Sequence, residues 1–179
     1  MTPPPERRQG AAAHRARLAL TGVLALYGAV LLLQPGHYGW LDAVDLAIHE
    51  TGHLVFSPFG ELLHVLGGTL LQLILPAAFV VSFARRGDPH AASVALWWVA
   101  QNLWNVSVYV GDAQAQELPL VGGGEHDWAY LLDALGAIEH DQGLAAGVRI
   151  AGAVVFGIAV LWGLATAGRT PRVFPPNRA

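Results

Sequence analysis

The chain contains no cysteine. Disulfide staples and thiolate metal sites are therefore excluded, and any metal must be held by histidine, aspartate or glutamate. Charge is also scarce: Asp, Glu, Lys and Arg make up 13% of the 179 residues, while 54% are hydrophobic. That is about half the charge of an average soluble domain, and it points to an integral membrane protein with membrane lipids as its surroundings. A chain of this length holds one compact unit rather than a soluble domain beside several spans. Neither an internal repeat nor a nucleic-acid-binding signal is present.

Basic residues are missing from Gly111 to Gln142, where all the charge is acidic. They gather instead at the ends, with Arg7, Arg8, Arg15 and Arg17 before the first apolar run and Arg169, Arg172 and Arg178 after the last. Four apolar runs, about 18–33, 62–84, 91–110 and 150–168, each approach the roughly 20 residues that cross a ~30 Å hydrocarbon layer. A shorter run, about 41–56, is interrupted by Asp42, Asp45, His49, Glu50 and His53 and closed by Ser57-Pro58. The expected fold is an all-α integral membrane protein with four transmembrane helices plus a half-inserted or interfacial helix over 41–56. It comprises a basic cytoplasmic tail over 1–17, one membrane-embedded helical domain over 18–168 with a polar loop over 111–142, and a basic tail over 169–179. The Pro- and Arg-rich ends, Met1–His14 and Thr170–Ala179, read as disordered. The first run follows a basic start as a signal peptide would, but no small-x-small cleavage site precedes Gln34-Pro35-Gly36, so it reads as an uncleaved anchor.

Positively charged flanks stay cytoplasmic, which discriminates between two topologies. With the N-terminus inside, Arg85-Arg86 also lie inside only if the helix over 41–56 enters and leaves on the outer side, turned back by Ser57-Pro58-Phe59-Gly60. If that helix crosses fully, Arg85-Arg86 and the basic C-terminus fall outside, against the rule. The first arrangement is expected: termini cytoplasmic, in a plasma membrane of bacterial type, with the acidic loop outside. Asp88 and Pro89 read as the N-cap and first residue of a following helix. Pro76 should kink its helix. Gly143-xxx-Gly147, Ala153-xxx-Gly157 and Gly163-xxx-Ala167 have spacings that suit a close helix seam, or reflect only an abundance of small residues.

The chemistry-bearing stretch is His49-Glu50-Thr51-Gly52-His53, H-E-x-x-H. On a helix its two imidazoles lie one turn apart on one face, the separation that chelates a zinc ion, and Glu50 is displaced by about 100° toward a water on that ion. Ionisable residues among apolar ones are costly, so a membrane setting favours a functional reading over histidines merely hydrogen-bonded between helices. Asp45, one turn before His49, is a candidate to orient its ring from behind, or a solvated interfacial carboxylate.

The segment "HETGHLVF" resembles the H-E-x-G-H helix of membrane-embedded zinc metalloproteases such as the site-2 protease family. The resemblance implies His49 and His53 as zinc ligands, Glu50 as catalytic base, and a distant aspartate as third ligand. For that aspartate the chain offers Gly111-Asp112-Ala113.

Two residues compete to complete the site. Asp112 ends a helix on which Gln101, Asn105, Tyr109 and Asp112 share about 80° of arc, a polar stripe that should face the interior. His126 lies in "GGGEHDW", where Gly122–Gly124 let the backbone come close and a helix starting near Asp127 fixes the ring. Either can bind, or both, with Glu61 and Glu125 behind them. Asn105 and Asp127 are candidates to support the ligands from behind or to meet substrate, and His126-Asp127 can also be simply a loop and an N-cap. A second stripe, His64, Gly68 and Gln72, follows the turn, and His64 there either meets substrate or is satisfied by neighbouring helices. His37, His90 and His140 read as surface residues, and Trp40, Trp97, Trp98, Trp104 and Trp128 as core or interface anchors.

These parts predict a zinc-dependent membrane metalloprotease, with Glu50 as general base in peptide hydrolysis and a peptide or membrane protein as substrate. A zinc-dependent hydrolase of lipid amides or esters and a non-catalytic metal-binding membrane protein are the alternatives.

Overall fold

The computed structural model describes residues 5–34, 36, 38–120 and 124–169. Among them the structure is all helical. Six α-helices follow in order: α1 (Pro5–Leu33), α2 (Trp40–Phe56), α3 (Glu61–Arg85), α4 (Pro89–Gly111), α5 (Asp127–Ala134) and α6 (Asp141–Thr166). Short 3-10 turns occupy Ser57–Phe59 and Ile138–His140. The segment expected to be disordered at the N-terminus is helical from Pro5 onward, because Gln9, the Ala11–Ala13 run and the arginines are strong helix formers that extend α1. Residues 1–4, 170–179, Pro35, His37, Val121, Gly122 and Gly123 lie outside the described residues.

Three helical stretches are long and apolar enough to cross a membrane: Gln9–Leu33, Glu61–Arg85 and Ile138–Thr166. Their large apolar side chains point outward, with Leu26, Ile150 and Leu161 each about two-thirds exposed or more. The fourth expected span, α4, is long enough but not among them. It is the inner helix, packed on α1, α3 and α6. Its polar residues Ser93, Gln101, Asn102 and Ser107 are buried inside the bundle, Gln101 against Asp42 of α2, and they lower its hydropathy below that of the other three.

Small residues set the closest approaches. A Cβ on Gly52 of α2 would run into the backbone of Gly67 on α3, and one on Gly68 would lie 2.5 Å from His49 Nε2. The α2–α3 hairpin can therefore close only over these glycines. Its turn ends at Gly60, whose φ of 95° suits glycine alone. On α6, Gly163 faces Thr21 and Ser93, and Gly152 faces the Trp104 ring, but Gly143, Gly147 and Gly157 face open space. The seam thus uses one of the three small-residue pairs, Gly163 with the buried Ala167, together with a glycine outside them.

Tertiary contacts sort the charges. The Arg17 side chain donates to the Arg169 carbonyl, and His90 Nε2 lies 3.2 Å from the Arg17 carbonyl and from Thr21 Oγ1. His90 is buried, not a surface residue, because the start of α4 is clamped between α1 and α6. That end of the bundle gathers Arg15, Arg17, Arg85, Arg86 and Arg169. Asp88 caps α4 there, accepting from the Ala91 N–H at 3.1 Å, with Pro89 as first helical residue. At the opposite end lie the α2–α3 turn, α5 and the acidic start of α6. Arg149 reaches across to the Leu32 carbonyl, satisfying one of the unpaired acceptors that close α1.

Candidate metal centre

The H-E-x-x-H motif lies within α2, and the donor atoms of His49, Glu50 and His53 all lie within 4.8 Å of one another. The two rings are 4.8 Å apart between centroids, edge to face. A carboxylate from a different element completes the cluster. Asp127, the first residue of α5, places Oδ2 2.8 Å from His49 Nε2 and 3.3 Å from His53 Nε2. The Asp127 N–H in turn donates to the Tyr109 hydroxyl at 3.1 Å, and Trp128 Nε1 donates to Thr69 Oγ1 at 3.3 Å. Through these contacts α4 and α3 hold the start of α5 over the motif.

The outer nitrogens of both rings are occupied. His49 Nδ1 is 3.1 Å from Gln72 Oε1. His53 Nδ1 is 2.8 Å from the His64 carbonyl, and His64 Nδ1 is 2.9 Å from the His53 carbonyl, a reciprocal exchange across the hairpin. Each Nδ1 faces a carbonyl acceptor and so donates, which turns each Nε2 toward the shared carboxylate. Burial pushes the Asp127 carboxyl up, but the bonds from His49 and His53 outweigh it and hold the group at about 2. The hydrogen bond to the same carboxylate, against the effect of burial, raises His53 to about 9.

The two residues expected to compete as third ligand do not reach the histidine pair. His126 is 2% exposed and accepts the Ala129 N–H at 3.2 Å through Nδ1, capping α5. Its Nε2 lies 3.3 Å from Asp112 Oδ2, outside hydrogen-bond alignment. Asp112 accepts the backbone N–H groups of Glu117 and Leu118, each at 3.0 Å. The two candidates therefore face each other and brace the loop between α4 and α5. Neighbouring residues at a helix entry point different ways, so burying His126 under the loop turns Asp127 toward the motif. The burial of His126 is a tertiary outcome, so no local signal in the sequence singles out Asp127 as the residue that faces the pair.

Asp45 does not orient His49. It is fully buried and accepts from Trp98 Nε1 at 2.9 Å, because its helical position faces α4 rather than α3. The orienting groups are Gln72 and, behind it, Asn105, whose Oδ1 accepts from Gln72 Nε2 at 2.8 Å. Asp42 accepts from Asn105 Nδ2 at 2.9 Å and Gln101 Nε2 at 3.2 Å, a role that its place in an interrupted apolar run does not reveal. Glu61 is exposed at the start of α3.

A cavity of about 1010 Å³ opens beside the cluster between α1, α2, α3, α4 and the loop before α5. His49, Glu50, His53, His64 and Asp127 line it, as do Asn105 and Tyr109 of the polar stripe, and Glu125 from the loop. Among the described residues, no arginine or lysine lines it. Comparison with protein-family models, with curated proteins and with solved structures finds no match to this chain.

Proposed function

We propose that the protein is a zinc-dependent membrane peptidase in which His49, His53 and Asp127 hold the metal and Glu50 is the general base. One observation carries the reading: two Nε2 atoms from the motif converge on a single carboxylate oxygen, while both Nδ1 atoms are held from behind. Two imidazoles and a carboxylate, with a glutamate beside them, are the donor set of a catalytic zinc centre. The group fits the residues present. When bound, zinc makes a water acidic enough to be deprotonated near neutral pH and polarises the substrate carbonyl. The chain does the rest. Glu50, in the cavity beside the pair, takes the proton of the attacking water and returns it to the leaving amine. The helix backbone and Gln72 keep the His49 ring in place, and the loop braced by Asp112 and His126 keeps Asp127 over it.

A peptide is favoured over an anionic lipid because the cavity adds Glu125 to the cluster's own carboxylates and, among the described residues, offers no arginine or lysine to receive a phosphate. The lipid-hydrolase and metal-scaffold readings stand as outcomes of the test. The same reading places α4 as a fourth crossing helix, sheltered by the other three. It places α2 as a half-inserted helix, supported by Gly39, just before α2, packing against the Tyr27 hydroxyl partway along α1 rather than at its end. The acidic end, with the metal site, is assigned to the outer face and both termini to the cytoplasm of a bacterial-type plasma membrane.

The test compares purified wild-type protein with Glu50→Gln for zinc content and for cleavage of peptide and lipid panels. Glu50→Gln should retain zinc and lose peptide cleavage by at least a hundredfold, within the reach of a general base. Retained zinc with equal activity in both proteins would falsify the hydrolase. Cleavage confined to the lipid panel would move the substrate to lipids.

A further inference from the structure

Four side chains run in line from the start of α2 to the metal ligand His49. Asp42 Oδ1 accepts from Asn105 Nδ2 at 2.9 Å, Asn105 Oδ1 accepts from Gln72 Nε2 at 2.8 Å, and Gln72 Oε1 lies 3.1 Å from His49 Nδ1. An amide offers a donor at one end and an acceptor at the other, so either amide alone could be turned around. The carboxylate at the end of the line removes that freedom. Asp42 is 6% exposed and surrounded by donors: besides Asn105 it takes Gln101 Nε2 at 3.2 Å and, through Oδ2, the Gly39 N–H at 2.7 Å. An ionised carboxylate accepts only, so Asn105 must present its NH₂ to Asp42 and its oxygen to Gln72. Gln72 must then present its oxygen to His49.

We infer that Asp42, which touches neither the metal ligands nor the base, orients His49 through Asn105 and Gln72, keeping a proton on Nδ1 so that Nε2, which faces Asp127, is the nitrogen that gives up its proton to bind the metal. Asp42, Asn105 and Gln72 are positioning residues for the centre, in a relay that joins α2, α4 and α3. The inference rests on the metal site proposed above. It explains why α4 keeps an asparagine in its inward stripe and why an aspartate interrupts the apolar start of α2. With the relay cut, Gln72 can flip and present its NH₂ to His49, which favours the opposite tautomer and blocks the coordinating nitrogen.

The relay predicts a rescue that simple packing does not. A carboxylate at position 72 accepts from Nδ1 whatever lies behind it. Zinc affinity of the full chain in detergent would be measured by competition with a chelating dye, for wild type, Asp42→Leu, Asn105→Leu, Gln72→Glu and the doubles Asp42→Leu/Gln72→Glu and Asn105→Leu/Gln72→Glu. Loss of an outer partner of a metal ligand lowers affinity about 10–100-fold, which is the loss expected for Asp42→Leu and Asn105→Leu. Gln72→Glu alone sets its carboxylate against the Asn105 oxygen and should gain nothing over wild type, whereas both doubles, freed of that clash, should return to within a few-fold of wild type. Because Asp42 also caps α2, Asn105→Leu keeps the test decisive if Asp42→Leu fails to fold. Unchanged affinity in Asn105→Leu, or a loss that Gln72→Glu does not repair, would overturn the relay while leaving the metal site standing. No zinc on the wild-type chain would overturn the site and the relay together.

Discussion

Asp127 is shared by two histidines from one helical turn, and without metal that sharing is an ion pair whose pH response can be worked out. The Asp127 carboxyl is held at about 2 against an ordinary 3.8, so its contribution to stability is complete above pH 3.8 and is lost as the pH falls toward 2. His53 is raised from 6.5 to about 9, so its contribution is complete below 6.5 and is lost as the pH rises through 9. Metal-free protein should therefore melt highest between about pH 4 and 6.5, and lower as the pH is taken to 9. Thermal unfolding in detergent with a chelator, wild type against Asp127→Asn, checks this. The variant should melt lower in that window and show a flatter profile between pH 6.5 and 9. A wild-type melting temperature that climbs from pH 6.5 to 9 would contradict the pairing.

At the level of elements, the centre depends on how closely α2 and α3 approach. Gly52 and Gly67 let the backbones touch, Gly68 leaves the space filled by the His49 ring, and the exchange between His53 and His64 ties the hairpin one turn nearer its bend. A methyl group on Gly52 would meet the Gly67 backbone, which cannot rotate away as a side chain can. Gly52→Ala is accordingly expected to cost about 1–3 kcal/mol of stability, the usual penalty of overpacking. It should also weaken zinc binding, because splaying the hairpin draws His49 away from Gln72. Chemical denaturation and dye competition on the same variant measure both effects. Gly157→Ala on α6, which faces open space, is the control and should weaken neither, with at most the small gain in stability that alanine brings to a helix interior.

Over the whole molecule the charge is polarised along the bundle axis. Arg15 and Arg17 from the first half of α1, Arg85 and Arg86 at the end of α3 and Arg169 just after α6 share one end, and most of the acidic side chains share the other with the candidate centre. Because the chain has no cysteine, single cysteines report orientation directly. His14→Cys, exposed at the basic end, and Glu139→Cys, exposed at the acidic end, should differ in their reaction with a membrane-impermeant maleimide on intact cells. Labelling at position 139 and not at 14 is the expected result, and the reverse pattern would invert the orientation proposed.

Much of this protein was legible in the sequence because the signals are local. Helix-length apolar runs, an Asp-Pro start to α4, the turn after α2 and two histidines spaced by one helical turn all follow from periodicity and the shape of single residues. The three helices long and apolar enough to cross a membrane and the His49-Glu50-His53 group belong to this class. What the tertiary structure alone decided is pairing between distant elements. Asp112, His126 and Asp127 carry similar donor chemistry within sixteen positions, and nothing local says which one turns toward the motif. That depends on a loop folding back so that Asp112 and His126 brace each other while Asp127 reaches α2. Likewise Asp42 and Asp45 differ by three residues on one helix, but only the crossing of α2 with α4 sends one to Asn105 and the other to Trp98. Local spacing specifies a face of a helix, whereas the identity of what that face meets is settled by packing.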